Sequence, residues 1–187
     1  MRGEEVIAAL ENHLQENHVI VSSNGNVSRQ VYNFLPKPQF YLRGSMGLPM
    51  SIGFGLALAQ PEKQILVITG DGNLLMGLSS LTTIGNVLPE NLKILITDNQ
   101  SYATTGGQET VSGSIDYLKL LEGLGIKNFG ELNTIENPSK LTNSFETFLT
   151  SEHTAVLHVI VSKDKTNLEN IPWHPIEIKE KFMEKLV

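Results

Sequence analysis

Apolar positions along this chain alternate between two spacings. Over residues 3–16, Val6, Ile7, Leu10 and Leu14 recur at helical spacing, and residues 18–23 (HVIVSS) then read as a short buried strand. Asn24-Gly25-Asn26 marks a turn, with Asn26 or Ser28 placed to cap a helix running through Phe34. Pro36 and Pro38 interrupt before a short strand at 39–43. Residues 47–60 (GLPMSIGFGLALAQ) set Ser51, Gly55 and Ala59 at i, i+4 and i+8, which predicts a helix with one nearly flat face for close backbone packing. Residues 64–69 (QILVIT) and 91–97 (NLKILIT) are unbroken apolar strands of the kind buried on both faces of a parallel sheet. Leu74, Leu75, Leu78, Leu81 and Ile84 place one helix between them. After a loop from 98 to 113 come a helix at 114–123, a strand at 128–132, a helix at 139–150 and a strong strand at 154–161 (TAVLHVIV). The tail, 163–187, contains Pro172 and Pro175 and then a helix at 176–186. This alternation predicts a single α/β domain over 1–187: a doubly wound, mostly parallel sheet with helices on both faces.

Composition narrows the chemistry. With 187 residues, 40% of them hydrophobic and 18% charged, the chain has an ordinary globular make-up and enough length for a sizeable core. The net charge of −6 and three scattered arginines (Arg2, Arg29, Arg43) give no clustered basic footprint, so nucleic acid is excluded as the expected partner. An anionic ligand has to be held instead by backbone N–H groups, a metal ion and a few local cations. No cysteine is present, which removes disulfides, iron–sulfur ligation and thiol catalysis, and the five histidines lack zinc-ligand spacing. Residues 1–15 lack the apolar stretch of a signal peptide, and no apolar run approaches the ~18 residues of a membrane span. A cytoplasmic location without membrane attachment is the expectation.

In a parallel sheet the loops leaving the carboxyl ends of the strands share one rim, and ligands bind there. Four unusual loops each follow a predicted strand: Asn24-Gly25-Asn26, Gly44-Ser45-Met46-Gly47, Gly70-Asp71-Gly72-Asn73, and Asn99-Gln100-Ser101-Tyr102 running on to Gly106-Gly107-Gln108. Gly53-Phe54-Gly55 is not a dinucleotide loop, because no strand immediately precedes it and the third glycine is missing. At Gly70–Asn73, glycines at a strand-to-helix junction suit a phosphate, yet Asp71 would repel a bare one. A divalent cation between them resolves the conflict. Mg²⁺ takes oxygen ligands and commonly keeps one or two protein groups besides phosphate and water. Asn99, 28 positions after Asp71 and at the end of the next strand, offers an amide oxygen, and the Ser101 carbonyl follows it. A lone Asp-Gly pair also occurs in hairpin turns, so it is the combination that points to a metal.

Gly70-Asp71-Gly72-Asn73, followed after a helix and a strand by Asp98-Asn99, resembles the cofactor motif of thiamine diphosphate (ThDP) enzymes. The resemblance implies that Asp71, the Asn99 side chain and the Ser101 carbonyl bind Mg²⁺, that Gly70, Gly72, Asn73 and Tyr102 surround the diphosphate, and that Met46 wedges under the cofactor. It implies that the Gly44 carbonyl, beside Ser45, accepts from the aminopyrimidine. Met46 as plain core filler is the alternative. The stretches GSMGLPMSIGFGLALAQP, LPENLKILITDN, SYATTGGQ and IPWHPIEIKEKFM, with Ser28-Arg29, look like sulfopyruvate decarboxylase beta subunits and the matching half of phosphonopyruvate decarboxylases. Asn73 and Ser101 depart from the small residues usual there, but Asn still donates to phosphate and only the Ser101 carbonyl is used.

By that resemblance, the glutamate that activates ThDP belongs to a separate pyrimidine-binding alpha subunit, so a hetero-oligomer is expected, acting as a 2-oxo acid decarboxylase on a small anionic 3-substituted pyruvate. Thr104, Thr105 and Gln108 are candidates for substrate contact or proton transfer, with a polar loop turning at Gly106-Gly107 as the equal alternative. Arg29 and Arg43 are candidates for holding an anionic tail. A 2-oxo acid oxidoreductase, an acetolactate synthase-like enzyme, a nucleotide-binding module and a non-catalytic ThDP-binding relic are the competing readings.

Overall fold

A computed structural model describes residues 1–163 and 167–186; residues 164–166 and 187 of the expected tail lie outside the described residues. Six strands form one sheet: β1 (His18–Ser22), β2 (Phe40–Tyr41), β3 (Gln64–Gly70), β4 (Leu92–Asp98), β5 (Asn128–Asn133) and β6 (Ala155–Ile160). Every neighbouring pair is parallel, in the order β2-β1-β3-β4-β6-β5. All seven residues of β4 and all five of β1 are buried, as expected of strands covered on both faces.

The strand residues divide by parity between two cores. Ile20, Leu66, Ile68, Leu95 and Leu157 pack against α1 (Gly3–Leu10), α2 (Asn26–Phe34) and α7 (Leu141–Leu149). Val19, Val21, Val67, Ile94 and Ile96 pack against α3 (Pro49–Ala59), α4 (Asp71–Met76), α5 (Ser80–Val87) and α6 (Tyr117–Gly123). Each such side chain removed from water contributes about 1.5–3 kcal/mol. Helix α8 (Pro175–Leu186) closes the β2 edge, with Phe182 stacked near Phe40 (ring centroids 5.1 Å apart). The doubly wound α/β expectation holds. Among the described residues no helix is long and apolar enough to cross a membrane.

Several local expectations are corrected. The helix expected over 74–84 is two, α4 and α5, broken at Gly77: a Cβ there would stand 2.0 Å from the Gly47 carbonyl oxygen, so another backbone occupies that space. The first helix stops at Leu10 and continues only as a 3-10 turn, Glu11–His13. The helix expected from 114 starts at Tyr117, capped by the Asp116 carboxylate, which accepts from Lys119 N at 3.1 Å. Helix α2 is capped by neither Asn26 nor Ser28. Gly25 sits at the cap with φ +82°, and the Ser28 hydroxyl donates back to its carbonyl. The flat face of α3 is also elsewhere: Ser51, Gly55 and Ala59 are exposed, and Gly53 meets the sheet, where an added Cβ would lie 2.1 Å from Val67 Cγ2.

Candidate functional site

Strand order decides where a ligand fits. β1 is followed by β2 on one side and has β3 on the other, so the connections diverge at β1/β3 and leave a crevice beyond their carboxyl ends. A cleft of about 130 Å³ opens there. Gly70 of β3 stands beside Thr97 of β4, so Asp71 and Asn99 leave adjacent strands toward the same opening. Of the residues expected at the site, Met46, Gly70, Asp71, Gly72, Asn73, Asn99, Ser101, Tyr102, Thr104 and Thr105 line this cleft; Gly44, Ser45 and Gln108 do not.

Asp71 opens α4 and is 2% exposed. Thr110 Oγ1 donates to its Oδ2 at 2.5 Å. Burial pushes this carboxyl up to about 6; the Thr110 hydrogen bond opposes the shift and the neighbouring Asp98 charge adds to it. A dication beside the carboxylate relieves both penalties. Asn99 Oδ1 accepts from Ser101 N at 3.1 Å, which orients the amide and shapes the turn that carries the Ser101 carbonyl. One carboxylate, one amide oxygen and a carbonyl are hard oxygen donors, and this donor set fits Mg²⁺.

At the start of α4 the missing side chain of Gly72 lets two neighbours close on the backbone. Gly72 lies under the Tyr102 ring and beside Met46: a Cβ there would be 2.5 Å from Tyr102 Cε1 and 3.3 Å from Met46 Cε. Asn73 Oδ1 accepts from Gly47 N at 3.0 Å, so the Asn73 amide holds the Met46 loop against α4 while its nitrogen has no partner among the described residues. The first turn of α2, from Asn26, also borders the cleft, and helix N-termini present unpaired N–H groups. These groups fit the diphosphate of ThDP.

The loop after Asn99 folds into a short hairpin: Ser101 bridges Glu109, and Tyr102 N donates to the Gln108 carbonyl at 2.9 Å. Its tip brings Thr104 against Gly25, so two rim loops meet. Gln108 Oε1 accepts from Gly106 N and the Thr105 hydroxyl, at 3.0 and 3.1 Å, so this side chain stitches the turn. Arg43 donates to the Trp173 carbonyl at 2.9 Å, and neither Arg43 nor Arg29 lines the cleft.

Behind the rim lies a polar network that sequence reasoning missed. Asp98 Oδ2 accepts from Ser112 Oγ (2.5 Å) and meets His158 Nε2 (2.8 Å), and Asp98 Oδ1 accepts from Gln100 N (2.8 Å). His158 Nδ1 meets Glu131 Oε2 at 2.9 Å, and Ser112 Oγ shares a hydrogen with Tyr117 Oη at 2.7 Å. Burial works against the charge on Asp98, yet the His158, Ser112 and Gln100 hydrogen bonds hold its carboxyl below the usual carboxylate range. The available signal was a charged residue and a histidine inside two apolar strand patterns, since buried polar groups require partners.

The chain matches known proteins over most of its length. A family model described as "Thiamine pyrophosphate enzyme, C-terminal TPP binding domain" matches residues 21–159. Sulfopyruvate decarboxylase subunit beta of Methanococcus maripaludis is 35% identical over 180 residues, 96% of this chain and 94% of that one. Phosphonopyruvate decarboxylase of Streptomyces viridochromogenes is 33% identical over 83% of this chain but only 39% of its own longer one. A solved structure of a 2-oxoglutarate:ferredoxin oxidoreductase from Magnetococcus marinus superimposes with a TM-score of 0.72 over 85% of this chain and 60% of that one, at 14% identity, a likeness of fold. The motif at Asp71 and Asn99, the parallel sheet that brings them together and the extent of these matches agree: the chain belongs to the C-terminal TPP-binding domain family of thiamine pyrophosphate enzymes.

Proposed function

We propose that this chain is the diphosphate-binding subunit of a ThDP- and Mg²⁺-dependent 2-oxo acid decarboxylase that acts on an anionic 3-substituted pyruvate such as sulfopyruvate or phosphonopyruvate. The observation that carries the reading is the convergence of Asp71 and Asn99, from adjacent strands, on one cleft that Gly70 and Gly72 also line. Asp71, Asn99 Oδ1 and the Ser101 carbonyl hold the dication; Gly72, Asn73 and the start of α2 hold the diphosphate. When bound, ThDP supplies a nucleophilic carbon and an electron sink for loss of CO₂. Met46, braced on Gly72, supports the cofactor from below. Tyr102 shields the cleft from water over Gly72, and Thr104 and Thr105, on the hairpin above, face the substrate side and steer protons there.

A second subunit supplies the activating glutamate. Two similarities support this: a relative covered almost end to end is named a beta subunit, and the phosphonopyruvate decarboxylase relative is more than twice the length this chain matches. With Arg43 tied to Trp173, and neither it nor Arg29 lining the cleft, the cation that meets the sulfonate or phosphonate tail is assigned to that partner.

The test is reconstitution with the partner and a CO₂-release screen over 2-oxo acids, with and without ThDP and Mg²⁺. Aldehyde formation that requires both is expected, with sulfopyruvate or phosphonopyruvate preferred over pyruvate. Acyl-CoA or a carbon–carbon adduct as product would overturn the decarboxylase assignment, and metal-independent ThDP binding would overturn the site.

A further inference from the structure

His158 lies mid-sheet on β6, beside Ile96 of β4, and is 3% exposed. Its two ring nitrogens stand 2.8 Å and 2.9 Å from carboxylate oxygens of Asp98 and Glu131. An ionised carboxylate only accepts, whereas a neutral imidazole has one N–H and one lone pair. Donation to both sides therefore requires both nitrogens protonated, a buried cation between two anions. Although burial opposes that charge, the hydrogen bonds to both carboxylates hold the imidazole above its ordinary range.

The placement of Asp98 gives this cation a task. Asp98 closes β4, directly before Asn99, and lies one step beyond the Gly70–Thr97 pair that sets Asp71 beside it. It is 1% exposed and does not line the cleft, so it binds nothing there itself. Unpaired, it would put a second buried negative charge next to Asp71. Paired, it becomes a scaffold: its Oδ1 shapes the turn at Gln100, and its Oδ2 holds Ser112. Ser112 N in turn donates to Thr110 Oγ1 at 3.4 Å, and Thr110 donates to Asp71. The chain of contacts thus runs from Glu131, on the outer strand β5, through His158 and Asp98 to both expected metal ligands.

We propose that His158 is a positioning residue for the dication site: held between Asp98 and Glu131, it fixes the β4 terminus that presents Asn99 and the 110–112 turn that orients Asp71. It touches neither metal nor cofactor and acts only through Asp98. This inference rests on the metal site proposed above. It adds that the site is braced from the edge strand β5.

The experiment uses the full chain reconstituted with its partner. ThDP binding is followed by calorimetry across a Mg²⁺ titration, for the wild type, His158→Gln and Glu131→Leu. Because groups behind metal ligands typically change affinity 10–100-fold, His158→Gln is expected to raise the Mg²⁺ needed for half-maximal ThDP binding about tenfold. Glu131→Leu alters a half-exposed side chain and so tests the same contact should His158→Gln not fold; because solvent screens that side chain, a rise of about threefold is expected, at the weak end of ordinary hydrogen bonds. Imidazole ¹⁵N spectra of the wild type are expected to show both His158 nitrogens protonated at neutral pH, and one deprotonated in Glu131→Leu. A neutral His158 in the wild type, or an unchanged Mg²⁺ requirement in a folded variant, would overturn the proposal. Absence of Mg²⁺-dependent ThDP binding in the wild type would instead overturn the metal site, so the two failures separate.

Discussion

Thr110 and Asp71, 39 positions apart, meet at 2.5 Å through a hydroxyl donated to a carboxylate. The contact holds one oxygen of the Asp71 carboxylate, which at the proposed site leaves the other toward the cation. Thr110 belongs to the segment after the 101–109 hairpin, so the loop that follows one expected ligand, Asn99, orients the other. A hydrogen bond to a charged group is worth about 1.5–3 kcal/mol, so Thr110→Val is expected to weaken Mg²⁺ binding about tenfold, while Thr110→Ser stays near wild type. Calorimetric Mg²⁺ titration in the presence of ThDP checks this; equal affinities for Val and Ser would sink it.

Gly72 is where backbone must remain bare. An alanine Cβ would be 2.5 Å and 2.9 Å from two carbons of the Tyr102 ring. Gly72→Ala is therefore expected to push the ring and its hairpin aside, with a loss of about 1–3 kcal/mol from overpacking. Tyr102→Ala in the same chain should return most of that stability. The check is chemical denaturation of the single and double variants, and purely additive losses would exclude the steric cause.

Two other glycines differ in what they touch. At Gly53 the obstacle is a side chain, Val67 Cγ2 at 2.1 Å; at Gly77 it is the Gly47 carbonyl oxygen at 2.0 Å. Gly53→Ala is expected to cost about 1–3 kcal/mol and to be relieved by Val67→Ala. Gly77→Ala has no side chain to trim, so it should separate α4 from the Met46 loop and lose ThDP binding as well as thermal stability. A Gly77→Ala protein that melts like wild type and binds cofactor would contradict this.

Lys93 is 1% exposed, and its Nζ donates to the carbonyls of Glu90 and His153, with no carboxylate partner among the described residues. Burial lowers its pKa to about 8. The unfolded chain holds this proton more tightly than the folded one, so the stability cost is fully present below about pH 8 and is relieved as pH rises toward the ordinary lysine value. Each tenfold weakening of proton affinity on folding costs about 1.4 kcal/mol, so relative to Lys93→Met the wild type should gain roughly 3 kcal/mol between about pH 7 and the ordinary lysine pKa. Denaturation of both proteins across that range measures the difference, and a flat difference would remove the buried-charge account.

Much of the fold was legible because its signals are local. The apolar runs at 64–69 and 91–97 are too continuous for any strand but one covered on both faces, and they became β3 and β4. The Asp71 and Asn99 loops could be read as neighbours because parallel strands put all their carboxyl ends on one rim. Helix ends were less legible. Gly77 breaks a pattern that is periodic from Leu74 to Ile84, and only the approach of Gly47 explains it.

The chain by itself determined the alternation of strand and helix and the shared rim where the loops at Asp71 and Asn99 meet, since each depends on residue type and short spacing. Tertiary structure alone decided that Gln108 stitches its own hairpin, that Arg43 is spent on Trp173, and that His158, Asp98 and Glu131 stand in line across three strands. The physical reason is range. Periodicity and turn chemistry act within a few residues, whereas a hydrogen bond or ion pair between strands depends on register and strand order, which pattern along one segment does not encode.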